Sequence, residues 1–151
     1  MGEILGFFHG GITVKDLHKS LVFYRDGLGL KVKFEKLLNG PYLRTVLDLK
    51  FDAISVAFLE VPGGGFIELL DYQGIEKLSA ASRPCDFGGG HISFYVSKID
   101  EIAEKMFKMG YIARSESCVD ITEGPNAGGR SLYLLDPDGY PIELFMRPAD
   151  A

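Results

Sequence analysis

Four side chains in this sequence are of the type and spacing that hold a cation: His9, Glu68, His91 and Glu143. Each histidine opens a short run that reads as a β-strand and ends in valine, His9-Gly-Gly-Ile-Thr-Val14 and His91-Ile-Ser-Phe-Tyr-Val96. Each glutamate is the third residue of a matching pair of runs, Phe66-Ile-Glu-Leu-Leu70 and Pro141-Ile-Glu-Leu-Phe145. Successive side chains of a strand point to opposite faces. His9 therefore opposes Ile12 and Val14, His91 opposes Ile92 and Phe94, Glu68 opposes Ile67 and Leu69, and Glu143 opposes Ile142 and Leu144. Each half of the chain offers one imidazole and one carboxylate on a face that is not the core. Together they would form an N₂O₂ set suited to Zn²⁺, Ni²⁺, Co²⁺, Mn²⁺ or Fe²⁺. An ion with more than four coordination positions would also accept two adjacent oxygens of a small-molecule substrate and stabilise charge developing on them. A single histidine at a strand start is usually structural, and a single glutamate on a strand usually faces solvent. The matched placement in two halves is what favours a ligand set. His18 has no counterpart and reads as a surface residue.

The elements that must position these groups repeat as well. In the first half a strand over 6–14 leads to Asp16, a helix N-cap residue, and to apolar residues at helical spacing over 17–27. Strands are expected over 30–37, 43–49, 53–61 and 65–72, separated by turn signals such as Pro62-Gly-Gly-Gly65. The second half reads as a strand over 90–96, a helix over 98–109, and strands near 111–118, 131–135 and 141–147, with Asp136-Pro-Asp-Gly139 as a tight turn. The fold class is α+β, with each half roughly βαβββ. Residues 1–151 form one domain of two modules, about 6–72 and 90–147, joined by a loop over 73–89.

With 46% hydrophobic and 25% charged residues in 151, the chain is long and apolar enough to bury a core. Its 19 glycines exceed the usual share of about 7% and call for many tight turns. A net charge of −5 argues against nucleic acid, whose binding rests on neutralising phosphates with Lys and Arg. Two cysteines make no disulfide framework, and no run of 18 apolar residues spans a membrane. A cytoplasmic protein without membrane or nucleic-acid partners is expected.

The four residues, with Val14-Lys-Asp-Leu17, Phe23-Tyr24 and Gly27-Leu-Gly-Leu30 after the first histidine and Leu135-Asp-Pro-Asp-Gly-Tyr-Pro-Ile-Glu-Leu144 near the end, resemble the vicinal oxygen chelate superfamily. That group includes glyoxalase I, methylmalonyl-CoA epimerase, extradiol dioxygenases and drug-resistance proteins, and the resemblance runs from about residue 7 to 147. It implies two βαβββ modules whose curved mixed sheets enclose a divalent metal ion held by His9, Glu68, His91 and Glu143. The full His-Glu-His-Glu set is similar to bacterial glyoxalase I, the lactoylglutathione lyase type. The implied activity is that of a metal-dependent lyase or isomerase moving a proton next to a chelated carbonyl. Glu143 would be the base by analogy, with Glu68 as the other catalytic carboxylate. The epimerase usually has glutamine at the position of Glu68. An Fe(II) dioxygenase would need only His9, His91 and Glu143, and a drug-binding resistance protein often lacks ligands. The resemblance further implies a homodimer, with the modules paired within one chain or across two. The loop 122–130 resembles the glycine-containing loop of glyoxalase-like proteins, which makes Asn126 and Arg130 candidates for substrate binding. Arg44 is a third, since a guanidinium can pair with a substrate carboxylate or phosphate.

Overall fold

In the computed structural model, which describes residues 2–150, Asp16 ends the first strand's extended run and begins the first helix. Its carboxylate accepts the Lys19 N–H at 3.0 Å, satisfying one of the free donors of the first turn. Contacts divide the chain into two units, residues up to Leu78 and residues from Ser79 onward.

The first unit runs β1 (His9–Thr13), α1 (Leu17–Leu21) continuing as a π-helical turn over Val22–Gly27, β2 (Lys31–Leu38), α2 (Pro41–Leu47), β3 (Ala53–Glu60) and β4 (Phe66–Gln73). Its four strands lie in the order β1-β4-β3-β2, with β1 parallel to β4 and the others antiparallel. The helix α1 contacts β3 and β4. Ile12, Val14, Leu59, Ile67 and Leu69 are buried, as are Leu21, Phe23 and Tyr24 of the helical segment. The opposite face of the sheet carries a smaller apolar cluster of Phe51, Ile54 and Val56 with Leu38, Leu43 and Leu70.

Leu43 comes from α2, where the sequence reading expected a strand over 43–49. The helix wins because Pro41 stands in its first turn, where a missing N–H costs nothing. Leu43 and Leu47 also repeat at helical spacing, and the β-branched pair Thr45-Val46 that argued for a strand lies between them.

The second unit runs β5 (Ile92–Tyr95), α3 (Ile99–Lys108), β6 (Val119–Asp120), β7 (Arg130–Leu135) and β8 (Pro141–Met146), in the sheet order β5-β8-β7-β6. This is the first unit's topology repeated. The helix α3 buries Ile99, Ala103 and Met106 along one stripe, and it contacts β7 and β8. Asp100 and Glu101 in its first turn and Lys105 and Lys108 in its last suit the helix dipole. The strand expected over 111–118 reduces to one bridge, Ala113 to Leu134, and the two-residue β6 follows it. Ser115 donates its hydroxyl to the Ser117 carbonyl at 2.8 Å, a local bond that competes with a strand ladder. The turn before β8 is fixed by Asp136, whose Oδ1 accepts the N–H groups of Asp138 and Tyr140 at 2.9 and 2.8 Å. Gly139 takes the positive φ of 87° that closes it. Among the described residues no helix is long and apolar enough to cross a membrane.

Candidate metal centre

Within the first unit β1 and β4 are parallel neighbours, and their register sets Gly11 beside Glu68. His9 Nε2 stands 3.0 Å from Glu68 Oε2, with both side chains mostly buried. A methyl group at Gly11 would lie 3.6 Å from that same oxygen. The imidazole is oriented by ring packing, 4.5 Å from Phe8 and 5.4 Å from Phe58 between centroids. Its Nδ1 is buried without a hydrogen-bond partner among the described residues. Burial pushes the Glu68 carboxyl above its ordinary pKa, and the nearby His9 opposes the shift. Burial also raises the Tyr72 phenol, with a further push from Glu68.

The second unit builds the same pair from β8 and the residue before β5. His91 Nε2 stands 3.3 Å from Glu143 Oε2. Here two hydroxyls join it. Ser131 Oγ donates to Glu143 Oε1 at 2.9 Å, and the Tyr133 hydroxyl lies 3.3 Å from His91 Nε2. Burial raises the Tyr133 phenol first, and the Glu143 charge adds to it. The sequence reading missed Ser131 and Tyr133. Their signal was the alternation of β7, which sets both against the buried Leu132 and Leu134.

Each pair offers one nitrogen and one oxygen donor of the kinds that ligate divalent metals. Oxygen and nitrogen donors about 2.1 Å from an ion lie roughly 3.0–3.4 Å from each other at octahedral or tetrahedral angles, which spans the two distances found. Each unit supplies two such donors. No group of three or more His, Cys, Asp or Glu side chains that could hold a metal is gathered among the described residues.

Three other candidates belong to neither pair. Arg44 lies on α2 and donates to the backbone carbonyls of Phe51 at 2.8 Å, Asn39 at 3.1 Å and Asp52 at 2.6 Å. Its guanidinium also stacks 5.3 Å over the Phe51 ring. It ties both ends of α2 to the chain around them. Arg44→Ala should lower the melting temperature by several degrees, at about 2–4 °C per kcal/mol for a chain of this size. Arg44→Lys should not restore it, because an ammonium lacks the planar fork. A melting curve unchanged in Arg44→Ala would refute this. Arg130 bonds Asp120 through Nε at 2.9 Å and pairs with Asp100 through Nη1, so it clamps α3 and β6 to β7. The guanidinium holds the Asp100 carboxyl below its ordinary value. Asn126 sits in the turn before β7, where its backbone carbonyl accepts the Gly129 N–H at 3.0 Å.

The model of the Glyoxalase/Bleomycin resistance protein/Dioxygenase superfamily matches residues 6–144. A 2-epi-5-epi-valiolone epimerase from an Actinomyces species is 27% identical over 146 residues, 95% of this chain and 80% of the relative. The lactoylglutathione lyase of Salmonella typhimurium is 30% identical over 138 residues, 90% of this chain and 88% of the relative. Among solved structures, a glyoxalase family protein from Bacillus cereus shares the fold with a TM-score of 0.82 at 21% identity, over 97% of this chain and 96% of its own.

Proposed function

The chain belongs to the Glyoxalase/Bleomycin resistance protein/Dioxygenase superfamily, and from that premise we propose that it is a divalent-metal-dependent lyase or isomerase of glyoxalase type. It moves a proton between carbons next to a carbonyl of a small molecule with two adjacent oxygens. The observation that carries the proposal is the recurrence of one His–carboxylate pair at the same place in both sheets, His9 with Glu68 and His91 with Glu143. These four residues would hold the ion. When bound, the ion supplies Lewis-acid stabilisation of negative charge on the substrate oxygens. The chain's own part is to fix the imidazoles by ring packing and to accept and return the proton through a glutamate carboxylate. Similarity to an epimerase and to a lactoylglutathione lyase supports proton transfer over oxygenation.

Metal analysis of protein purified without chelator tests this. About one equivalent of a transition ion per ligand set is expected. Less than about a tenth of an equivalent, with no tight binding after loading, would overturn the proposal.

The surroundings of His9 narrow the substrate. Phe34 and Phe58 stack at 4.8 Å, and Phe58 lies 6.0 Å from Phe8 and 5.9 Å from Phe66. Phe8 and Phe34 keep much of their surface exposed, while Arg44, the candidate for an anionic group, is used on backbone carbonyls. The substrate therefore carries an apolar portion that lies over these rings. The phenylglyoxal adduct of glutathione should be turned over with a higher kcat/KM than the methylglyoxal adduct. Phe34→Ala should erase about two- to tenfold of that advantage, the value of one aromatic contact. Equal preference in wild type and variant would remove the aromatic wall from the proposal.

A further inference from the structure

The two His–Glu pairs are matched in position but not in support. The antiparallel register sets Tyr133 opposite Glu143 and Ser131 opposite Phe145 in the second unit. The equivalent register in the first sets Phe58 opposite Glu68 and Val56 opposite Leu70. Where Glu143 meets a phenol and a hydroxyl, Glu68 meets hydrocarbon at both positions. On the other flank the parallel register pairs Glu143 with Ser93 and Glu68 with Gly11. The glycine leaves open the space that a side chain would fill against Glu68 Oε2.

We propose that Ser131, with Tyr133, pins Glu143 as the fixed carboxylate, and that Glu68 is the one that gives way when a substrate's two oxygens arrive. This rests on the metal-dependent reading of the site. One oxygen of Glu143 accepts the Ser131 hydroxyl and the other faces His91, so both are engaged before anything binds. Glu68 has one oxygen at His9 and a glycine floor to move over. Motion of Glu143 would break a charge-assisted hydrogen bond in a half-buried setting, and motion of Glu68 breaks none from a hydroxyl. The carboxylate that gives way is the base. It takes a proton from the substrate carbon that bears a hydroxyl, and the C–H electron pair becomes a C=C bond as the adjacent carbonyl pair moves onto its oxygen. The same carboxyl returns the proton to the neighbouring carbon while the hydroxyl proton passes to the other oxygen and its carbon becomes the new carbonyl. Ser131 and Tyr133 are positioning residues, and the analogy that made Glu143 the base is reversed.

The test needs no natural substrate. Co(II) affinity is measured by chelator competition, and acetohydroxamate, a ligand with two adjacent oxygens, is titrated into the Co(II) protein while its visible spectrum is followed. Ser131→Ala should weaken Co(II) binding roughly tenfold or more, the usual cost of losing a partner that orients a metal ligand, and Ser131→Thr should restore it. Glu143→Gln should weaken Co(II) binding more than Glu68→Gln. Phe58→Tyr, which gives Glu68 the phenol that Glu143 has, should weaken acetohydroxamate binding without weakening Co(II) binding. Thermal melts identify any variant that fails to fold, and Ser131→Thr and Phe58→Tyr keep side-chain volume nearly constant. If wild type binds Co(II) but Ser131→Ala is indistinguishable from it, or Glu68→Gln is the more damaging change, the division of roles is overturned and the metal reading stands. A wild type that binds no Co(II) overturns both.

Discussion

Replacing His91 with alanine should abolish the proposed divalent-ion binding, and replacing His9 should do the same. An orienting partner of a metal ligand is worth roughly 10- to 100-fold in affinity, so loss of the ligand itself should reach at least about 100-fold. The two histidines differ in what else they do. His9 is wedged against Phe8 and Phe58, so His9→Ala also opens a hole in an aromatic cluster and should lower the melting temperature. His91 is more exposed and has Tyr133 as its ring neighbour, so His91→Ala should melt close to wild type while losing the metal. Isothermal titration with Zn²⁺ beside a thermal melt separates the two effects. His18→Ala should change neither. A His91→Ala protein that retains wild-type Zn²⁺ affinity would remove His91 from the ligand set.

The pairs were legible in the sequence because a strand has a period of two. Once Ile67, Leu69, Ile142 and Leu144 are read as core, Glu68 and Glu143 have only one face left. The repeat then puts the histidines on equivalent strands, and the structure brings each within 3.3 Å of its glutamate. What was not legible depends on register or on carbonyl positions. Serine and tyrosine are unremarkable on a strand, and Ser131 and Tyr133 acquire meaning only when β7 aligns with β8 so that Tyr133 faces Glu143. The work of Arg44 was hidden for a related reason. Its partners are backbone carbonyls of residues 39, 51 and 52, and those converge only because 41–47 is a helix rather than the expected strand. An arginine without visible partners reads as a ligand for something outside the chain, and its ligands here are the chain itself.

The same alternation makes neighbouring residues of β8 separable by experiment. Leu144 is 1% exposed, follows Glu143 directly, and points to the opposite face. Leu144→Ala removes a side chain from the packed side of the sheet, a change that costs about 2–5 kcal/mol in a core that cannot fully collapse. At about 2–4 °C per kcal/mol the melting temperature should fall by roughly 4–20 °C. The backbone bonds of β8 to β5 and β7 remain, and the Glu143 side chain keeps its contact with Ser131, so the folded fraction should bind Co(II) with nearly wild-type affinity. Glu143→Gln should do the reverse, holding the melting temperature while losing the metal, because an amide of the same shape still fits beside Ser131 but carries no charge for a cation. If Leu144→Ala lost metal affinity in its folded state as severely as Glu143→Gln, the two faces of β8 would not be independent. Core packing would then set the geometry of the ligand pair, and the alternation of β8 would not separate the functional face from the structural one.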